Sequence, residues 1–250
     1  TLFFQFYALL FKHEKLSLEE VQVYQLDELK RVVNQAYHHT NFYKKKYDVA
    51  GFHPSHLKSL EDLQLIPKLS IDEVRDNGRN MVDKTFSGKL YKSVTSGTTA
   101  KPLTIYRDKK TAQKEWAAIC YQWSRVGYQP GDGRIEFRGF LPKKTTFIYL
   151  KHEKVLRVNL IEMDENNIDS IVQSIIKSGY QYIHGYPGSI CKFIKLVINK
   201  HGAFPTNFKI KKFLLASENI FDWQIELIRE TFKGATVICH YGQAEKVALG

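Results

Sequence analysis

An α/β chain built on a largely parallel sheet is the fold class this sequence predicts, and three observations predict it. Strand-like runs at 155–160, 181–184, 212–216 and 236–240 alternate with helical stretches. The apolar positions Ile168, Ile171, Val172, Ile175 and Ile176, then Ile190, Phe193, Ile194, Val197 and Ile198, fall at helical spacing. Gly179 and Gly202 close those two helices, and a third follows Asp222 as its cap and ends near Gly234. The order β-α-β-α-β-α-β implies right-handed crossovers, and in such open sheets ligands bind at the carboxyl ends of the strands.

The earlier part of the chain follows from local signals. The run 2–11 is rich in Phe and Leu, but Gln5 interrupts it and about 20 apolar residues are needed to span a bilayer. A docked amphipathic helix is expected there, with a peripheral membrane contact as the alternative. No small-residue cleavage site follows it and the first residue is Thr1, so the chain is expected to belong to a longer one. Ser17-Leu18-Glu19-Glu20 is a capping box and starts a helix with Val21, Leu26, Leu29, Val32, Val33 and Ala36 on its apolar side, as far as His39. Gly51, Pro54, Pro67 and Gly78 then imply short helices and turns, so 1–80 is expected to be mostly helical and 90–250 α/β. Strand-like runs at 90–95 and 103–106 flank a polar loop, and a helix from about 109 to 125 carries Trp116, Ile119, Cys120 and Trp123 on one stripe.

Composition excludes some classes and leaves others open. Hydrophobic residues at 43% and charged ones at 25% are those of a folded domain. A formal charge of +11 suits an anionic partner without choosing among nucleotide, nucleic acid and acidic lipid. Aromatic and basic residues interleave at Phe42-Tyr43-Lys44-Lys45-Lys46-Tyr47, but no base-reading motif accompanies them, and no nucleic acid partner is expected. Cys120, Cys191 and Cys239 are far apart and lack metal-ligand spacing, which fits reduced thiols in a cytoplasmic protein. His38-His39 and the His53/His56 pair read as surface or capping histidines.

Two segments carry chemistry. Ser96-Gly97-Thr98-Thr99-Ala100-Lys101 crowds hydroxyls, backbone N–H donors and one cation around a glycine, the groups that hold a polyphosphate. The Walker spacing is absent, and a polar hairpin turn is the structural alternative. Tyr241-Gly242-Gln243-Ala244-Glu245 places an aromatic face and a carboxylate beyond a strand end, suited to a purine and to Mg²⁺, or to a helix cap. His184-Gly185-Tyr186-Pro187-Gly188-Ser189 and Ser217-Glu218-Asn219 follow the neighbouring strands and would gather on the same edge.

Residues 95–102, Thr-Ser-Gly-Thr-Thr-Ala-Lys-Pro, resemble the phosphate-loop signature of adenylate-forming enzymes, and 241–245 resemble their second signature, in the family's order. With Asn41-Phe42-Tyr43 and Ile66-Pro67-Lys68-Leu69-Ser70, the chain is similar to the phenylacetate-CoA ligase and capsular-polysaccharide-biosynthesis branch. That resemblance implies a large amino-terminal domain of packed mixed and parallel sheets and helices. It implies activation of a carboxylic acid by ATP and Mg²⁺ to an acyl-adenylate, then transfer to CoA or an amine. Carried over, Ser96, Gly97, Thr98, Thr99 and Lys101 meet the phosphates, with Lys101 and Glu245 as catalytic groups and Glu245 on Mg²⁺. Ala216, Ser217, Glu218, Tyr241, Gly242 and Gln243 line the nucleotide site, and Tyr186 and Pro187 border the acyl pocket. Ala100 and Ala244 depart from the family's glycine and hydroxyl, and the chain ends at Gly250, before the ribose-binding aspartate, the hinge and the small-domain lysine. A small carboxyl-terminal domain is therefore expected outside this chain, and a catalytically silent nucleotide-binding or partner-docking module is the alternative function.

Overall fold

The computed structural model describes residues 1–94, 102–139, 141 and 145–242. Within them the chain divides into two compact units, 1–117 and 118–242.

The first unit is mainly helical. Helix α1 (Leu2–His13) has no fully buried residue. Helix α2 (Leu18–His39) begins at the expected capping box: Ser17 Oγ accepts from the Glu20 N–H at 3.2 Å, and the Ser17 N–H donates to Glu20 Oε2 at 2.7 Å. Helix α3 (Asn41–Val49), 3₁₀ turns at Pro54–His56 and Leu60–Leu65, and helix α4 (Ile71–Asn77) follow. A small core of Val33, Tyr47, Phe52 and Leu57 ties α2 and α3 to the first turn. His53 caps that turn, its Nδ1 accepting from the Ser55 N–H at 3.2 Å. Strands β1 (Tyr91–Val94) and β2 (Thr104–Arg107) pair antiparallel on either side of the polar segment 95–101. No helix among the described residues is long and apolar enough to cross a membrane.

Helix α5 (Lys109–Ser124) carries the chain into the second unit, whose sheet holds six strands in the order β4-β5-β3-β6-β7-β8. Strands β5 (Val155–Asn159), β6 (Tyr182–Gly185), β7 (Lys212–Ala216) and β8 (Thr236–His240) lie where the sequence predicts them, and β3 (Arg134–Arg138) joins them in parallel. Helices α6 (Ile168–Ser178), α7 (Pro187–His201) and α8 (Asp222–Thr231) connect them. Gly179 (φ 68°) and Gly202 (φ 74°) close α6 and α7 in the left-handed conformation glycine allows. Asp222 is the first residue of α8 rather than its cap. Phe221 stands at the cap, because the Gln224 side chain reaches back to accept from its N–H at 3.0 Å.

Two strands are not foreseen by the sequence pattern. Edge strand β4 (Phe147–Leu150) runs antiparallel to β5, and β3 lies at the centre between β5 and β6. Alternation along β3 explains its place. Ile135 and Phe137 enter the main core with Leu156, Val158, Ile183, Phe213 and Leu215 and with the apolar stripes of α6, α7 and α8. Arg134, Glu136 and Arg138 take the other face, as the period of two requires. Because the chain moves from β3 outward to β5 and then returns to build β6, β7 and β8 on the opposite side, the order reverses between β3 and β6. The crevice at the carboxyl ends of these two strands is the ligand position of an open α/β sheet.

Candidate functional site

Three turns meet on that carboxyl edge. Tyr186 caps α7, with Pro187 as its first residue, where the missing N–H costs no hydrogen bond. Gly188 in the same turn donates its N–H to Glu218 Oε2 at 3.2 Å. Glu218 thus places its charge at the amino end of α7, where the helix dipole favours it, which joins the turn after β6 to the turn after β7. Gly185 packs against β3 so closely that a Cβ there would lie 3.0 Å from Phe137 Cβ, so the strands can approach at the crevice only without a side chain.

Ser217 has φ 69°, a left-handed conformation that costs a non-glycine residue about 1–2 kcal/mol. It bends the chain sharply out of β7, and such strain tends to persist where surrounding contacts or function demand it. Ser217→Gly is expected to raise the urea unfolding free energy by up to about 1 kcal/mol. A lower value would show that the serine side chain stabilises more than the bend costs.

Ser217, Glu218, Asn219 and Ile220, together with Cys239, His240, Tyr241 and Gly242, line a cavity of about 700 Å³. Tyr241 stands at it with 60% of its surface exposed. Ala216 is buried as the last residue of β7 and is not one of the residues that line the cavity. Tyr186 is partly buried and Pro187 buried, in the turn after β6, and neither is part of that lining. Ser96, Gly97, Thr98, Thr99, Lys101, Gln243 and Glu245 lie outside the described residues. Among the described residues no group of three His, Cys, Asp or Glu is placed to hold a metal ion.

Beneath the turns lies a polar layer that the motifs do not announce. Glu136 Oε1 accepts from Arg134 Nε and Nη2 at 3.0 and 2.7 Å, and Oε2 accepts from Arg157 Nε and Nη2 at 3.1 and 2.8 Å. Burial alone would raise the Glu136 pKa, but the charges of Arg134 and Arg138 and the Arg134 hydrogen bonds outweigh it and hold it at about 2. His184 Nδ1 lies 2.8 Å from the Leu214 carbonyl, which can only accept, so that nitrogen carries the proton. Trp123 Nε1 donates to His240 Nδ1 at 3.3 Å, and the indole packs on His184 with ring centroids 4.8 Å apart. Burial lowers His184 to about 3 and His240 to about 4, so both are neutral at pH 7. The sequence signal for this layer is the alternation of charge and apolar bulk in Arg134-Ile135-Glu136-Phe137-Arg138, between Gly133 and Gly139.

Comparison with known proteins agrees with the fold. No protein-family model matches the chain. Phenylacetate-coenzyme A ligase from Aromatoleum evansii is 35% identical over 123 residues, 48% of this chain and 27% of that enzyme. The Escherichia coli K12 enzyme of the same name is 33% identical over 124 residues, 48% of this chain and 28% of its own length. A crystal structure of 2-hydroxyisobutyryl-CoA ligase in an open conformation, in complex with 2-HIB-AMP and CoA, superposes over 93% of this chain with a TM-score of 0.69 at 20% identity. The same enzyme in its postadenylation state gives 0.70 over 94%. The chain covers 52% of each of those two structures, about half their length.

Proposed function

We propose, because this chain is a relative of the adenylate-forming ligases, that it forms the nucleotide-binding part of an enzyme that activates a carboxylic acid with ATP and passes the acyl group to CoA. The observation that carries this reading is the cavity at the carboxyl edge, bounded by the strained Ser217 turn and the exposed ring of Tyr241. Adenine stacks on Tyr241 between the turns after β7 and β8, and the acid enters the crevice between β3 and β6, bordered by Tyr186 and Pro187. Gly242 lets the backbone approach the nucleotide, and Gln243 is assigned to the same nucleotide-binding segment.

The substrate carboxylate is itself the nucleophile towards the α-phosphate, so this chain contributes position and charge. Ser96, Thr98, Thr99 and the backbone at Gly97 hold the phosphates, and Lys101 stabilises the charge that develops on pyrophosphate. A carboxylate oxygen is the donor Mg²⁺ prefers, and Glu245 would hold that ion, which neutralises phosphate charge when bound. An amine in place of the CoA thiol, a role in polysaccharide biosynthesis, a cytoplasmic location and a peripheral membrane contact through α1 belong to the same reading as its finer alternatives.

Acid-dependent release of pyrophosphate from Mg-ATP by the full-length natural protein tests it, across aryl, fatty, hydroxy and amino acids. Lys101→Ala and Glu245→Ala are each expected to lower the rate roughly 100- to 1,000-fold, the usual loss on removing one group that stabilises developing charge. Unchanged rates in both variants would remove these residues from the chemistry. Nucleotide binding with no release for any acid would favour the silent binding module.

A further inference from the structure

We propose that Arg138 selects the acid substrate, and that the acid carries a second anionic group, a carboxylate or a phosphate, away from the carboxyl that reacts. The inference rests on the function proposed above and deepens it. Arg138 is the last residue of β3, at the carboxyl edge of the central strand and beside the point where strand order reverses. In this architecture that is where a ligand sits. Its side chain shares the polar face with Glu136, because Ile135 and Phe137 take the core face.

Charge balance there is incomplete. Both oxygens of Glu136 are engaged by Arg134 and Arg157, each through two N–H donors. Arg138 Nε stands 3.6 Å from Glu136 Oε2, beyond hydrogen-bond distance, so Glu136 offsets its charge without occupying its donors. Among the described residues the other carboxylate at the cluster is Glu153, 4.0 Å from Arg157 and largely in water. Three guanidinium groups therefore face two carboxylates, and one positive charge is left over. His184 and His240 are neutral and supply no compensating anion. The segment 139–146 that follows β3 contains no acidic residue.

A guanidinium with 40% of its side chain exposed, at the carboxyl end of the central strand, keeps much of its hydration. An alkyl chain laid over it would strip that solvent and return nothing, and an aryl face would return only a cation–π contact without a hydrogen-bond acceptor. A carboxylate or phosphate would instead meet a planar fork of donors in bidentate geometry. A site built to pair a charge rejects an analogue lacking it far more strongly than an apolar pocket rejects a missing methylene.

Matched acids decide the matter: glutarate against pentanoate, and 3-phosphoglycerate against glycerate, with the full-length natural protein and its Arg138→Met and Arg138→Lys variants. In wild type, kcat/KM for pyrophosphate release is expected to favour at least one dianionic acid over its partner by roughly 10- to 100-fold. Arg138→Met collapses that ratio, mainly through KM, and Arg138→Lys restores part of it. Preference for glutarate alone identifies a carboxylate, and preference for 3-phosphoglycerate alone a phosphate. A wild-type preference for the monoanions, or a ratio unchanged in Arg138→Met, overturns the proposal. Should no acid support turnover, the enzymatic reading fails by itself. Titration calorimetry of glutarate and 3-phosphoglycerate then still decides the subsite, since binding to wild type and not to Arg138→Met upholds it and no binding to either overturns it.

Discussion

Glu136→Leu is expected to lower the urea unfolding free energy of this protein by roughly 3–5 kcal/mol, the loss that follows when one partner of a buried ion pair is removed. The side chain of Glu136 is only 3% exposed and that of Arg134 only 9%. Deleting the carboxylate strands the Arg134 guanidinium in the protein interior, where water cannot replace its partner. Arg157, more exposed at 27%, can turn to solvent and loses less. Tyr128 remains as an acceptor for Arg134 Nη1 at 3.3 Å but brings no charge. The double variant Arg134→Met/Glu136→Leu is expected to recover most of the loss, since it removes the deeply buried guanidinium, leaves only Arg157 and Arg138, which reach solvent, and fills the space with apolar side chains. Residues in contact within one ion-pair network do not behave additively, so the recovery itself measures how strongly the two are coupled. A Glu136→Leu protein within about 1 kcal/mol of wild type would show instead that water reaches this layer.

Acid is expected to destabilise the fold well above the range in which carboxylates titrate. His184 and His240 have folded-state pKa values of about 3 and about 4, both below the ordinary histidine value of 6.5. Between those limits the unfolded chain binds protons that the folded chain refuses. Stability is therefore full above about pH 7 and falls as pH drops through 6.5, by about 2 kcal/mol for each histidine at pH 5. Glu136 acts in the same direction only lower, from its ordinary 4.5 down to about 2. Urea midpoints at pH 7, 6 and 5 measure the effect, and His240→Gln, whose side-chain carbonyl can still accept from Trp123, is expected to remove about half of it. A midpoint constant from pH 7 to 5 would contradict the neutral, buried state of both rings.

Physical locality divides what was legible in advance from what was not. The capping box at Ser17, the stripes of α6 and α7 and the glycines that close them depend on residues three or four apart, and strands β5 to β8 on short apolar runs. All of these are visible along the chain. The turns after β6, β7 and β8 could likewise be placed on one edge, because a parallel sheet puts its strand ends together.

Local pattern was therefore enough for the α/β class, the helical opening segments, most of the sheet and the edge on which the candidate site lies. It took packing in three dimensions to make Arg134-Ile135-Glu136-Phe137-Arg138, an alternating run with three charges, the central strand. Its charges are tolerable inside only because Arg157, 21 residues from Glu136, completes the pairing across the sheet. Packing also set Glu218 at the start of α7, and brought Trp123 to His240 across 117 residues. Such partners are chosen by three-dimensional proximity in a medium where an unpaired polar group is costly, and no spacing along the chain records that choice.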